Sequence, residues 1–258
     1  MRLQLLPSTF GQDGSASPGQ HLTCFVIDGR VAIDAGSLGM AATPEHRENI
    51  RDVVLTHAHL DHIAGLPLFI DDLFSFLEEP IRIHAAPSVI EVLERDVFNW
   101  DVYPRFSELT NDNGPVIEYV PFPASSEFSA AHLSIRAIGV NHKVPSVGFV
   151  ISDGNAKIAI TGDTAEMDIF WNETAQEENL SALLVECAFP NEMAELAQVS
   201  HHLTPERLAV ELEKFGDRNC PVYCANIKPM FRETVIKQLA ELSGTRPDIL
   251  EVGRIYEF

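Results

Sequence analysis

The sequence predicts an α/β fold, with two successive sets of strands and with helices between and after them. Three observations point there. A dense run of ligand-type residues, His57-Ala58-His59-Leu60-Asp61-His62, lies where a strand pattern gives way to a helical one. Short β-branched and apolar runs, separated by turn residues, occur both before that run and again between residues 116 and 161. An apolar strand over 183–187 then leads to a well-marked helix start. Strands that alternate with helical patterns in this way must bury one face against another layer.

Taken in order, Met1–Leu6 reads as an edge strand, and Ser8–Gly19 as a Gly/Ser/Pro-rich loop that could border a site. His21–Ile27 and Arg30–Asp34 read as strands joined by an Asp28-Gly29 turn, a strong hairpin signal. Arg51–Thr56 is a short strand, and Ile63–Leu77 an amphipathic helix with Leu66, Ile70, Leu73, Phe74 and Leu77 at helical spacing. Pro80–His84 follows as a strand and Pro87–Asn99 as a helix. Trp100–Leu109 is an aromatic-rich insertion, read as core packing ahead of base stacking. The second set of strands is Val116–Val120, His132–Val140, Ser146–Ser152 and Lys157–Thr161, with a hairpin turn at Gly154-Asn155. Thr204 is the expected N-cap of the late helix, with Pro205 at its first position.

No internal repeat or domain boundary shows, so residues 1–258 are read as one domain with ample core. The formal charge of −20 is its unusual bulk property. It would repel a polyanion, which argues against a nucleic-acid polymer as partner and leaves a small nucleotide admissible. Four scattered cysteines, no signal-peptide pattern and no apolar run of membrane length suggest a soluble, reduced, cytoplasmic protein without a membrane partner. A homodimer stays open.

The His57–His62 run carries the chemistry. His57 and His59 can reach one ion, while Asp61 and His62 turn with the helix start toward a second. Imidazole and carboxylate suit zinc first, with iron or manganese as alternatives. His142 and Asp163 each follow a strand of the second set. The H-x-H-x-D-H pattern resembles that of the metallo-β-lactamase superfamily. That resemblance implies an αββα sandwich with a dinuclear metal site at one sandwich edge. It implies His57, His59 and His142 on one ion, Asp61 and His62 on the other, and Asp163 bridging both. Asp34, in Asp34-Ala35-Gly36-Ser37, is then a structural residue supporting the metal loop.

Further along, Glu186-Cys187-Ala188-Phe189-Pro190, His202-Leu203-Thr204-Pro205 and Ile227-Lys228-Pro229 look like segments of class II cyclic-nucleotide phosphodiesterases. The likeness covers roughly residues 20–230. Two departures stand out. Gly65 is not followed by the usual Ser-Ala or Ser-Pro pair, and Asn226 stands where that family ordinarily has a histidine completing the second metal. An asparagine carbonyl is a poorer ligand than imidazole. His201 is a weaker candidate to compensate, and is otherwise a helix-flanking surface residue.

The implied reaction is hydrolysis of a 3′,5′-cyclic nucleotide, such as cyclic AMP, to the 5′-nucleotide by a metal-bridging hydroxide. Asp61 and His202 are the catalytic candidates. His202 would protonate the leaving oxygen with help from a carboxylate such as Glu186, and Lys228 would pair with the phosphate. The metal motifs alone also admit a hydrolase of a thioester, lactone, sulfate ester or RNA 3′-end phosphodiester, or a non-hydrolytic di-iron sensor. His21, His46, His84 and His132 are isolated and read as structural or surface residues.

Overall fold

The computed structural model describes residues 1–123, 125–216 and 220–258. Its two principal sheets have seven strands each. The first runs, in spatial order, Ile255–Glu257, Arg2–Leu5, Phe25–Ile27, Val31–Ile33, Asp52–Val54, Ile81–Ala85 and Ile117–Pro121. The second runs Asp248–Ile249, Val222–Ala225, Ala182–Glu186, Lys157–Ile160, Val147–Ser152, Leu133–Gly139 and Glu127–Ala130. Each sheet is antiparallel in one half and parallel in the other.

Side-chain alternation along these strands builds three apolar layers. Val54, Ile33 and Ile27 meet Ile135, Phe149, Ile158 and Leu184 between the sheets. On the other face of the first sheet, Val53 and Ile83 pack against Leu66, Phe69 and Ile70 of the helix Leu66–Leu73. The outer face of the second sheet buries Ala159, Leu183 and Val185 under Phe170, Trp171, Leu208, Leu212 and Leu239. The result is helix, sheet, sheet, helix: the αββα sandwich.

Several expectations change. Arg2–Leu5 is not an edge strand, because Ile255–Glu257 pairs with its free side. The strand expected at Val116–Val120 forms as Ile117–Pro121 but belongs to the first sheet, parallel to Ile81–Ala85. Glu127–Ala130, not read from the sequence, takes the edge of the second. The helix expected over Ile63–Leu77 is a single turn at Leu60–Ile63 followed by Leu66–Leu73, interrupted at Gly65. The one expected over Pro87–Asn99 is α-helical only to Val92 and ends in a π-turn at Leu93–Val97. In the insertion, Phe106 is buried against Phe74, Phe98 and Tyr103, whereas Trp100 is exposed.

Topology fixes where the chemistry falls. Val31–Ile33 and Asp52–Val54 run parallel, and so do Lys157–Ile160, Ala182–Glu186 and Val222–Ala225. Leu133–Gly139 is antiparallel to Val147–Ser152, which is antiparallel to Lys157–Ile160, so the outer two point the same way. Asp34, the His57–His62 run, His142, Asp163, Glu186 and Asn226 therefore all lie at carboxyl ends of strands, along one edge of the sandwich. Ligand sites in open α/β sheets form at such ends.

Candidate metal centre

Asp34 organises the loop that follows Asp52–Val54. It is buried and adopts a left-handed backbone, φ 58°. Thr56 donates its N–H to Asp34 Oδ1 at 2.8 Å and its hydroxyl to Oδ2 at 2.8 Å. His62 Nδ1 lies 2.7 Å from the same Oδ2. Two backbone bonds close the seam between the loops: Ala35 N–H to His62 O at 2.7 Å, and Thr23 N–H to Asp61 O at 2.8 Å. Gly36 is required there, since a Cβ would come within 1.9 Å of the Asp61 carbonyl oxygen. Asp34 thus has the supporting geometry that the resemblance implied.

These bonds set the imidazole tautomers. Because the Thr56 hydroxyl donates to Asp34, its oxygen is left to accept from His57 Nδ1–H at 2.9 Å. His142 Nδ1 points at the His201 carbonyl oxygen, 3.0 Å away. Each ring therefore turns a bare Nε2 inward, the arrangement that outer hydrogen bonds impose on metal-binding histidines. Among the described residues His57 Nε2 is buried with no hydrogen-bond partner, a costly state unless something binds it, and His62 Nε2 is buried with only the Asp163 carboxylate to face, at 3.4 Å. His142 Nε2 and His59 Nδ1 face each other at 3.1 Å. Two nitrogens in tetrahedral coordination of one zinc would be separated by about 3.3 Å. The ligand atoms of His57, His59 and His142 all lie within 4.8 Å of one another. A divalent cation fits this nitrogen set.

The electrostatics agree. Burial pushes His57 well below the usual imidazole range and His142 down to about 4, and it lowers His59 as well, so three neutral donors are present at neutral pH. Burial opposes charge on His62 too, but the carboxylates of Asp163 and Asp34 outweigh it and raise its pKa well above the ordinary value. Asp163 is buried, with Oδ2 3.4 Å from His62 Nε2 and 4.0 Å from His57 Nε2.

His202 stands beside this cluster, its ring centroid 5.1 Å from that of His142. Its Nδ1 lies 2.8 Å from Glu186 Oε1. Glu186 is held in turn by the backbone N–H groups of Thr164 at 2.9 Å and Ala188 at 3.0 Å. Burial works against an imidazolium at His202, yet the carboxylate of Glu186 outweighs it and raises the pKa. Thr204 occupies the N-cap position of the helix Pro205–Phe215, without a side-chain capping bond.

Two sequence candidates are placed otherwise than in the expected ligand sets. Asp61 turns its Oδ2 to Lys228 Nζ at 3.1 Å and belongs to none of the clustered ligand groups found among the described residues. Asn226 directs its amide N–H to Asp163 Oδ1, while its own carbonyl oxygen lies 3.4 Å from the Thr23 hydroxyl. Lys228 contacts Asp61 while its side chain remains 32% exposed at the site. His201 does not join the cluster. Its ring pairs with Asn141 Oδ1 at 3.0 Å, and only its carbonyl serves, by orienting His142. Thr56 and the His201 carbonyl were not legible as site groups, since a threonine and a backbone oxygen carry no motif. Of the isolated histidines, His84 is a buried partner of Asp52 at 2.7 Å, His132 bonds Asp28 at 2.8 Å, and His46 takes part in capping Pro44–Asn49.

Comparison with known proteins fits this geometry. A probable 3′,5′-cyclic-nucleotide phosphodiesterase of Yersinia pestis is 29% identical over 210 residues, covering 72% of this chain and 60% of the relative. A chloroplastic tRNase Z of Arabidopsis thaliana is 26% identical over 147 residues, or 55% of this chain and 37% of the relative. The chain thus spans between about a third and two thirds of the length of these relatives. Among solved structures, unliganded yeast PDE1 superposes with a TM-score of 0.77 at 17% identity, covering 98% of each chain, a likeness of fold. The model of the Beta-lactamase superfamily domain matches residues 29–220, and the chain belongs to that metallo-β-lactamase superfamily.

Proposed function

We propose that this protein is a metal-dependent phosphodiesterase that opens 3′,5′-cyclic nucleotides, cyclic AMP among them, to 5′-nucleotides. The observation that carries the reading is the Glu186–His202 pair beside the His57, His59, His142 nitrogen set. Breaking a ribose 3′ P–O bond releases an alkoxide, which needs a proton. Glu186 fixes His202 through Nδ1 and favours its charged form, leaving Nε2 as the proton-carrying end. A divalent cation held by His57, His59 and His142, with Asp163 alongside, supplies Lewis acidity and positive charge for the phosphoryl oxygens.

Lys228 adds a cation at the site, paired with Asp61 at 3.1 Å and still 32% exposed, so that a phosphoryl oxygen can reach it. A cleft of about 590 Å³ opens beside His142, lined by Pro87, Ser88, Lys143, Val144 and Pro145. That volume lies in the range of small-molecule sites and leaves space for a nucleoside. The names borne by the Yersinia protein and by the 3′,5′-cyclic-nucleotide phosphodiesterase 1 of Saccharomyces cerevisiae support the same substrate class. Relatives named for RNase Z activity favour a second reading, cleavage at an RNA 3′ end. The net charge of −20 speaks against a long RNA.

The deciding experiment is turnover of 3′,5′-cyclic AMP by metal-loaded protein, with 5′-AMP and 3′-AMP separated. Formation of 5′-AMP is expected. Formation of 3′-AMP would reverse the assigned leaving group, and no turnover by protein with bound metal would end the cyclic-nucleotide reading.

A further inference from the structure

The donors at this sandwich edge divide unequally between the two ion positions that the sequence suggested. The first set is complete, because His57, His59 and His142 offer three nitrogens within 4.8 Å of one another. On the other side His62 Nε2 and Asp163 Oδ2 face each other at 3.4 Å, and each clustered group that includes Asp163 borrows His57 or His142 from the first set. Outside the first set the remaining protein donors are His202, which Glu186 holds at 2.8 Å and which the proposed reading uses as the proton carrier, and Asp61 and Asn226, both otherwise engaged. Asp61 is tied to the Lys228 ammonium at 3.1 Å, which brings a positive charge to the flank where a second cation would need that carboxylate. Asn226 presents an N–H to Asp163, so the face it turns to the site has no lone pair to give. The Thr23 hydroxyl near its carbonyl oxygen supports this orientation of the amide.

We propose that the chain holds one tightly bound divalent cation, on His57, His59 and His142 with Asp163 alongside, and that the Lys228 ammonium stands in for a second. Asp61 is then the positioning residue for Lys228 and not a metal ligand. The inference rests on the reading of the chain as a metal-dependent hydrolase. It also accounts for Asn226. That residue has a left-handed backbone, φ 55°, a conformation asparagine tolerates, and it ties Asp163 without recruiting a second ion.

The test is the metal-to-protein ratio. Wild-type chain loaded with zinc, passed through a desalting column and weighed by native mass spectrometry should carry one zinc. The double variant Asn226→His with Lys228→Met should carry two, since it adds an imidazole and releases Asp61. Histidine is also enriched among residues with positive φ, so the backbone at position 226 accommodates it. Lys228→Met alone should keep a ratio of one and lower kcat at least tenfold. Two zinc ions held by the wild type would overturn the inference. A double variant that folds by circular dichroism yet still holds one would overturn the roles given to Asn226 and Lys228. A wild type that binds no metal would sink the hydrolase reading as well, so the two failures are distinguishable.

Discussion

Asp34 shows how one carboxylate can decide the state of several other groups. It fixes Thr56, which sets the His57 tautomer, and it holds His62 directly. Asp34→Ala should weaken zinc binding roughly 10- to 100-fold, the usual cost of losing an outer partner of a metal ligand, as read by competition with a chromophoric chelator. Affinity equal to wild type would show that the loop holds itself. His202 has the complementary role. His202→Ala should lower kcat by about 10²- to 10⁴-fold, the usual contribution of a positioned acid, with the zinc ratio unchanged. Joint loss of zinc would make His202 a ligand, since its ring nitrogen also clusters with His142 and Asp163. At this scale the ring-bearing residues were visible in the sequence, because three imidazoles and a carboxylate in six positions need an explanation. The partners that orient them were only half visible. Asp34 was legible through its motif, whereas Thr56 was read only as a strand residue.

At the scale of elements, the close seam between two loops is the weakest point for substitution. Gly36 abuts the Asp61 backbone, where neither side can retreat. Gly36→Ala should cost about 3 kcal/mol and lower the melting temperature by roughly 6–12 °C. A melting point within 2 °C of wild type would show that the loops can part freely. The strand Asp52–Val54, which leads into the Asp61 loop, holds a charged knot at its other end. Asp52 accepts from Arg82 at 2.9 and 2.8 Å and faces His84 at 2.7 Å. Burial alone would raise its pKa, but the bonds to Arg82 and His84 outweigh it and leave the carboxyl well below its usual range. A carboxyl depressed in the folded state adds stability that is full above its unfolded pKa of about 3.9 and is lost as pH falls toward the folded value. Asp52→Asn should thus cost about 2 kcal/mol at pH 7, a figure moderated by the partial exposure of Arg82. Urea titrations should show that gap narrowing below about pH 4, and a gap independent of pH would exclude this role. Elements also show why strands were easier to find than to place. Ile117–Pro121 was expected nearly where it forms, yet its sheet was misjudged, because its partner Ile81–Ala85 lies across a long crossover that no local pattern encodes. Glu127–Ala130 escaped notice because an edge strand with exposed Glu127 and Ser129 carries little apolar signal. The Asp28-Gly29 hairpin was legible because both residues take positive φ, at 51° and 69°, as a tight turn of that type demands.

The whole molecule combines a notch of histidines and carboxylates, which a divalent cation fits, with a strongly anionic body. The chain carries 38 acidic against 18 basic side chains. A field of that sign extends about 10 Å at 0.1 M salt and about 30 Å at 0.01 M. A cyclic nucleotide has one phosphate, which the notch can neutralise through Lys228 and a bound cation. Each further phosphate of an oligonucleotide would lie against the anionic surface and add repulsion without gaining a partner. On the proposed reading, kcat/KM should therefore be highest for the cyclic mononucleotide and should fall as phosphates are added along a series of short RNAs. The slope of that fall should flatten as salt rises from 0.01 M to 0.15 M, because screening removes the distant charges and leaves the notch intact. Stopped-assay rates across chain length and salt would measure both trends. A rate that rises with RNA length at low salt would mean that a basic track guides the polymer despite the net charge. The RNA 3′-end reading would then replace the cyclic-nucleotide one.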